Sequence, residues 1–241
     1  DLLINQQAEA AATIIALSGG NLFSGDRLTQ LDPYKLEILK MITPSFGEAA
    51  KPVDLFDANI QTVLALKINK PFANWAVAGF FNTDPNKKVE KKFPLERLWL
   101  DKEKTYLAFD FWNQQFIGEI KDEIKVDIQP GSVRLLSLHE KSSRPQFIST
   151  DRHIIQGGIE LENCEWNENT KTLSGISVGP LNTSHNVFIY IPQERPWTWD
   201  GSALFRDYES YSLKLVDKHI IRVHVRFEKS QKVNWQIRIY N

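Results

Sequence analysis

The sequence predicts a mainly β protein, with two antiparallel β-sandwich domains after a short α/β segment. Helix signatures are confined to roughly the first 50 residues, where they flank one short apolar run. Alternating apolar and polar runs then recur at short intervals to about residue 141, separated by turn chemistry. A second series of such runs fills the rest of the chain. The expected boundaries are therefore 1–50, 51–141 and 142–241.

The first helix is expected over Asp1–Ser18, which is rich in Ala, free of Gly and Pro, and apolar around most of its circumference. A helix of that kind needs cover on more than one side. Gly19-Gly20 ends it, and Asn21-Leu22-Phe23 is expected to form a short buried strand. The second helix is marked by Asp32 as N-cap and Pro33 at the first helical position. Leu36, Leu39 and Ile42 line one of its faces until Pro44. Helix, turn, strand, loop, helix is the rhythm of an α/β unit. One strand makes no sheet, so the remainder is expected to be missing or supplied by another chain.

After Pro52 strands are expected at Thr62–Ile68, Trp75–Asn82, Tyr106–Asp110, Phe116–Ile120, Ile124–Ile128 and Ser132–Leu138. Asp84-Pro85-Asn86 and Gln129-Pro130-Gly131 supply turns. The basic stretch Asn86–Lys92 is interrupted by Glu90 and reads as a solvated hairpin tip. Ser142-Ser143-Arg144-Pro145 reads as a linker. The second series is expected at Gly158–Trp166, Thr172–Val178, Val187–Ile191, Ser210–Val216, Ile220–Phe227 and Val233–Tyr240. The last two resemble a hairpin turning at Glu228–Lys232. Arg222, His224 and Arg226 share one face of the first of that pair.

Composition excludes several classes. The 241 residues are 42% hydrophobic and 24% charged, which is ordinary for a globular protein. Twenty-nine basic residues nearly cancel 30 acidic ones, so no field of one sign exists to hold nucleic acid. No window has the apolar length needed to span a membrane. A single cysteine, Cys164, excludes an internal disulfide and is expected to be a buried small apolar residue. His219 and His224 are expected on opposite faces of a strand, which argues against a joint metal site. No cofactor motif appears: there is no phosphate loop, no dinucleotide fingerprint and no nucleophile elbow.

Three residues are candidates for binding. Asp26 follows the short apolar run, and carboxylates just past the end of a parallel strand often face a substrate. Capping the loop or pairing with Arg27 is the competing role. Trp197 and Trp199 lie two apart in the turn-rich Arg195-Pro196-Trp197-Thr198-Trp199-Asp200-Gly201, so they share a face. They suit either a sugar-stacking platform or the hydrophobic cover of a loop. Trp75, Trp99, Trp112, Trp166 and Trp235 are expected in the core.

Together these segments resemble the α-galactosidase (melibiase)-like glycoside hydrolases. Ala16-Leu17-Ser18-Gly19-Gly20, Ser24-Gly25-Asp26-Arg27-Leu28 and Leu31-Asp32-Pro33 resemble the end of that group's (β/α)8 barrel. Lys51-Pro52-Val53-Asp54-Leu55-Phe56 resembles the exit into its C-terminal β-domain, and Trp75–Asn82 an early strand of that domain. Leu107–Trp112 and Ser149–Gly158 resemble later segments, so coverage runs from about residue 10 to about 178. The resemblance implies a retaining hydrolase with one Asp as nucleophile and another as acid/base, both on earlier barrel strands. It implies that this chain starts near the seventh helix of a barrel, holds a short α/β remnant of it, and lacks the catalytic pair. Only Asp26 carries over, at the barrel mouth. The implied partners are carbohydrate, the missing barrel of the parent enzyme, and a neighbouring copy of the chain; no cofactor is implied. A periplasmic or extracellular location is implied as well. The alternatives are a carbohydrate-binding module built on Trp197 and Trp199, or a purely structural accessory domain.

Overall fold

The computed structural model describes residues 3–57, 60–192, 198–199 and 205–240. They are mainly β. Two helices, α1 (Asn5–Leu17) and α2 (Pro33–Met41), precede β1 (Lys51–Pro52), β2 (Val63–Lys70), β3 (Ala73–Phe81) and β4 (Val89–Pro94). Then come β5 (Tyr106–Asp110), β6 (Gln115–Ile120), β7 (Glu123–Ile128), β8 (Val133–Glu140) and β9 (Gln146–Thr150). The chain continues through β10 (Leu161–Asn167), β11 (Thr172–Val178), β12 (Ser184–Tyr190) and β13 (Thr198–Trp199). It closes with β14 (Phe205–Asp207), β15 (Tyr211–Asp217), β16 (Ile220–Arg226) and β17 (Lys232–Tyr240). Two compact units divide these elements. The first takes in the stretch up to Ile68, Trp75–Glu140 and His153–Ile155; the second holds Asn69–Asn74, Lys141–Arg152 and the chain from Gln156.

In the first unit a six-stranded sheet runs in the order β1-β2-β3-β8-β5-β6, and β4 pairs with β7 as a separate ribbon. Ala76, Ala78 and Phe80 point from one face of β3 into a core shared with Phe93, Leu95, Ile124, Val126 and Leu136. The opposite face is buried as well, because α1 lies there. Ala12, Thr13 and Leu17 are its buried positions, and Leu17 Cδ1 lies 3.3 Å from where a Cβ on Gly79 would sit. Trp112 Nε1 donates to Thr13 Oγ1 at 3.0 Å, tying the helix to the chain just after β5.

The α1 terminus needs its glycine. Gly19 has φ +69°, and a Cβ there would meet the Glu48 carbonyl at 2.5 Å. That close approach lets Ala50 N donate to Leu17 O at 2.8 Å. Asp32 caps α2 as its sequence predicts, accepting from Tyr34 N at 3.0 Å and Lys35 N at 3.4 Å. Ile38 and Ile42 are the fully buried positions near that helix, while Leu36 and Leu39 are half-buried.

In the second unit a five-stranded sheet, β14-β15-β16-β12-β9, and a four-stranded sheet, β10-β11-β17-β13, are both antiparallel. Val187, Ile189, Leu213, Val223 and Val225 of one sheet are buried, as are Leu173, Trp235 and Ile237 of the other. Ser177 Oγ joins the two sheets by accepting from Trp235 Nε1 at 3.0 Å and lying 3.0 Å from His185 Nε2. Gly175 is required opposite Trp235, whose ring would lie 2.1 Å from a Cβ at that position. Cys164 is buried, and desolvation pushes its thiol up to about 12, which leaves it inert.

The structure corrects several sequence expectations, among them that Trp112 and Trp166 are core residues: both are only half-buried. Asn21-Leu22-Phe23 is irregular chain rather than a buried strand, and Phe23 is 87% exposed. An apolar run becomes a strand only beside another strand. The basic stretch expected as a hairpin tip becomes strand β4 from Val89 onward. Lys91 hides the alternation there, because its side chain is half-buried and its Nζ reaches Asp54 at 3.7 Å. Strands β16 and β17 are not paired as a hairpin but belong to different sheets. Alternation states which face of a strand is buried and leaves its neighbour undetermined. Trp99, expected in the core, is 40% exposed in a left-handed conformation at φ 59°, with Lys51 Nζ and Lys67 Nζ near its ring.

Candidate functional site

Asp26 lies at the rim of a cleft of about 220 Å3 in the first unit. Ala8, Ala12 and Ile15 of α1 form one wall, Ile38 of α2 another, and Phe23 a third. The walls are apolar because both helices turn small and branched side chains toward the cleft, where Ile15 and Phe23 also stay open to solvent. Ser24 Oγ donates to Asp26 Oδ2 at 3.4 Å, and Asp26 N donates back to Ser24 Oγ at 3.4 Å. The short helical turn Leu28–Gln30 begins after Asp26, with Arg27 at its N-cap position. Among the described residues no ion pair joins Asp26 to Arg27. The carboxylate is therefore exposed and held only by its own loop, in reach of solvent or of a ligand's hydroxyl groups. The Tyr34 hydroxyl donates to Glu9 and links the two helices. Burial raises the Glu9 carboxyl above its usual range, and burial together with that bond raises Tyr34.

Trp199 lies on β13, whose backbone pairs with Ile239 of β17. Trp197 falls outside the described residues. Asp26 and Trp199 belong to different compact units.

Sequence reasoning missed two buried aspartates and the polar groups around them. Asp110, fully buried at the end of β5, has its Oδ2 2.5 Å from Arg134 Nε and accepts from Asn113 Nδ2 at 3.0 Å. Burial nonetheless raises its carboxyl, outweighing Arg134 and the Asn113 bonds. In the second unit, Asp151 Oδ1 accepts from Asn186 N at 2.7 Å, and Asn186 Oδ1 lies 3.0 Å from His224 Nδ1. Burial raises Asp151 as well, with Glu160 adding to the effect. The polar face Arg222-His224-Arg226 expected from sequence is half-buried and joins this network through His224. A carboxylate at the end of one strand and its partner on a neighbouring strand far along the chain leave no local spacing to read, so only the fold reveals such pairs. His219 lies in the β15–β16 turn. Among the described residues no cluster of three His, Cys, Asp or Glu side chains is arranged to hold a metal ion, and no helix is long and apolar enough to cross a membrane.

No family model matches the chain, and no curated protein matches it. Solved structures do. Alpha-galactosidase I from Mortierella vinacea is 16% identical with a TM-score of 0.43, the match covering 58% of this chain and 38% of that one. The α-galactosidase from Saccharomyces cerevisiae with raffinose is 12% identical with a TM-score of 0.46, covering 58% and 45%. An isomalto-dextranase from Arthrobacter globiformis T6 complexed with panose is 9% identical with a TM-score of 0.44, covering 97% of this chain and 43% of that one. The chain spans less than half the length of each of these enzymes.

Proposed function

We propose that this chain is the C-terminal region of a glycoside hydrolase acting on α-galactoside-type carbohydrates, and that it is non-catalytic in isolation. Residues 1–50 form the end of the (β/α)8 barrel, 51–141 a first β-sandwich and 142–241 a second. Asp26 contributes to sugar binding at the barrel mouth, while the nucleophile and acid/base lie on barrel strands outside this chain. Trp199 and Trp197 belong to the second sandwich and contribute an aromatic surface for sugar.

The observation that carries this reading is the apolar outer side of the α/β segment. Helix α1 buries Ala12, Thr13 and Leu17, yet it also carries Ile14 at 48% and Ile15 at 46% exposure. Phe23, which shares the cleft with Ile15, is 87% exposed, and Leu28 farther along the same segment is exposed as well. Apolar side chains grouped in this way mark a surface made to be covered, and the rest of a barrel is the cover that the sequence resemblance implies. The order of the resembling segments, from Ser18-Gly19-Gly20 to Ser149–Gly158, is the sequence side of the same reading.

Hydrolysis of nitrophenyl α-galactoside tests the reading. The chain alone is expected to release no nitrophenol, and the chain joined to a barrel bearing both carboxylates is expected to release it. In the joined protein Asp26→Ala is expected to raise KM roughly tenfold, the loss of one hydrogen bond to a charged group. Turnover by the chain alone would refute its incompetence, and an unchanged KM would remove Asp26 from the sugar site.

A further inference from the structure

The four-stranded sheet of the second unit carries a groove of about 440 Å3 that the proposed hydrolase function does not use. Its lining includes Asn163 of β10, Ser174 and Ile176 of β11, Asn234 and Gln236 of β17, and Tyr211 of β15. Register explains the grouping. Asn163 pairs with Ile176 and Ile176 with Asn234, while Ser174 pairs with Gln236 on the neighbouring row. Ser174, Asn234 and Gln236 are exposed, and they alternate along their strands with the buried Leu173, Gly175, Trp235 and Ile237. The outward side of three adjacent strands therefore presents amides and a hydroxyl around one branched apolar side chain.

We propose that this groove binds a neutral carbohydrate. No residue lining it is charged, so an ionic ligand would find no counter-charge. A purely apolar ligand would strand four polar side chains without hydrogen bonds. Amide and hydroxyl groups both donate and accept, which matches hydroxyls that do the same. Ile176 and the Tyr211 ring supply apolar surface for the C–H face of a sugar. Tyr211 is held in place: its hydroxyl donates to Gln236 O at 3.4 Å, and Tyr208 stacks on it at 4.5 Å between ring centroids. The groove's polar side chains also differ from others of their type. Asn82 donates to three backbone carbonyls and Asn186 bridges Asp151 and His224. The side chains of Asn163, Ser174, Asn234 and Gln236 make no hydrogen bond with any other described residue, so their donors and acceptors are free for a ligand. The volume falls within the ordinary range of small-molecule sites.

Titration of the intact chain with raffinose and with panose, followed by NMR of the side-chain amides, tests the proposal. The Asn163, Asn234 and Gln236 amide signals are expected to shift saturably with at least one of the two sugars. Asn234→Ala combined with Gln236→Ala is expected to weaken binding at least tenfold, and Glu103→Ala, an exposed position away from the groove, to leave it unchanged. Asn163→Ala supplies the same comparison from a different strand should the double variant fail to fold. Absence of saturable shifts with both sugars would overturn the inference, as would equal binding by the groove variants. A silent groove beside an active barrel-joined enzyme would overturn this inference alone. Sugar binding in the groove beside an inactive joined enzyme would overturn only the proposed function.

Discussion

Asp54 accepts from Thr62 N and Thr62 Oγ1, both at 2.8 Å, and from Val63 N at 3.1 Å, so one carboxylate fastens the start of β2. Burial pushes its carboxyl up, but these bonds and the Lys91 ammonium outweigh burial and bring it below its ordinary value of 3.8. Its contribution to stability is therefore full above that value and is lost as pH falls through the lower folded value. Asp54→Ala is expected to cost the first unit about 3 kcal/mol in denaturant unfolding at neutral pH. Asp54→Asn is expected to cost less, since an amide oxygen still accepts. A loss under about 0.5 kcal/mol for the alanine variant would show that β2 does not depend on this anchor. Asp54 lies within a segment that carries the sequence resemblance, yet its bonds reach eight and nine residues along the chain, where no spacing rule extends.

Helix α1 is best understood by its two sides. One is buried by the six-stranded sheet through Leu17 and Thr13, and the other leaves Ile14 and Ile15 exposed. The sequence announced this, because a helix apolar around most of its circumference needs two covers. It could not announce that Asn21-Leu22-Phe23 would remain irregular, since strand formation depends on a neighbour. Ile15→Lys combined with Phe23→Ser is expected to reduce binding of a hydrophobic dye to the isolated chain by half or more. Unfolding of the isolated chain is expected to shift by less than about 0.5 kcal/mol. In the barrel-joined protein the same pair is expected to cost about 3 kcal/mol or more, because buried apolar area is lost and a charge is buried. Equal costs in the two settings would refute the covered surface.

At the scale of the whole molecule, among the described residues each compact unit holds one buried aspartate whose carboxyl is raised by desolvation, Asp110 in the first and Asp151 in the second. A carboxyl raised in the folded state binds more protons than in the unfolded chain. Stability is therefore expected to fall as pH rises from 3.8 through the raised folded values and to level off above them. On acidification from neutral pH the denaturation midpoint should first rise, then fall as Asp54 takes up its proton. Asp110→Asn is expected to flatten the rising part for the first unit and leave that of the second in place. A midpoint that only falls on acidification would contradict the raised values.

Alternation and turn chemistry determined most of the strand content in advance: Tyr106–Asp110 and Thr172–Val178 match their expected bounds, and Asp32-Pro33 marked the start of α2. These are local facts, set by pleat, cap and turn within a few residues. Tertiary structure alone decided that β16 and β17 enter different sheets and that Lys91 reaches Asp54. It also decided that Asp110 meets Arg134 and that Asn163, Ser174, Asn234 and Gln236 share one outward face. Each of these joins residues from separate elements. Their spacing along the chain carries no trace of the pairing, because side-chain periodicity fixes which face a residue occupies and never what that face will meet.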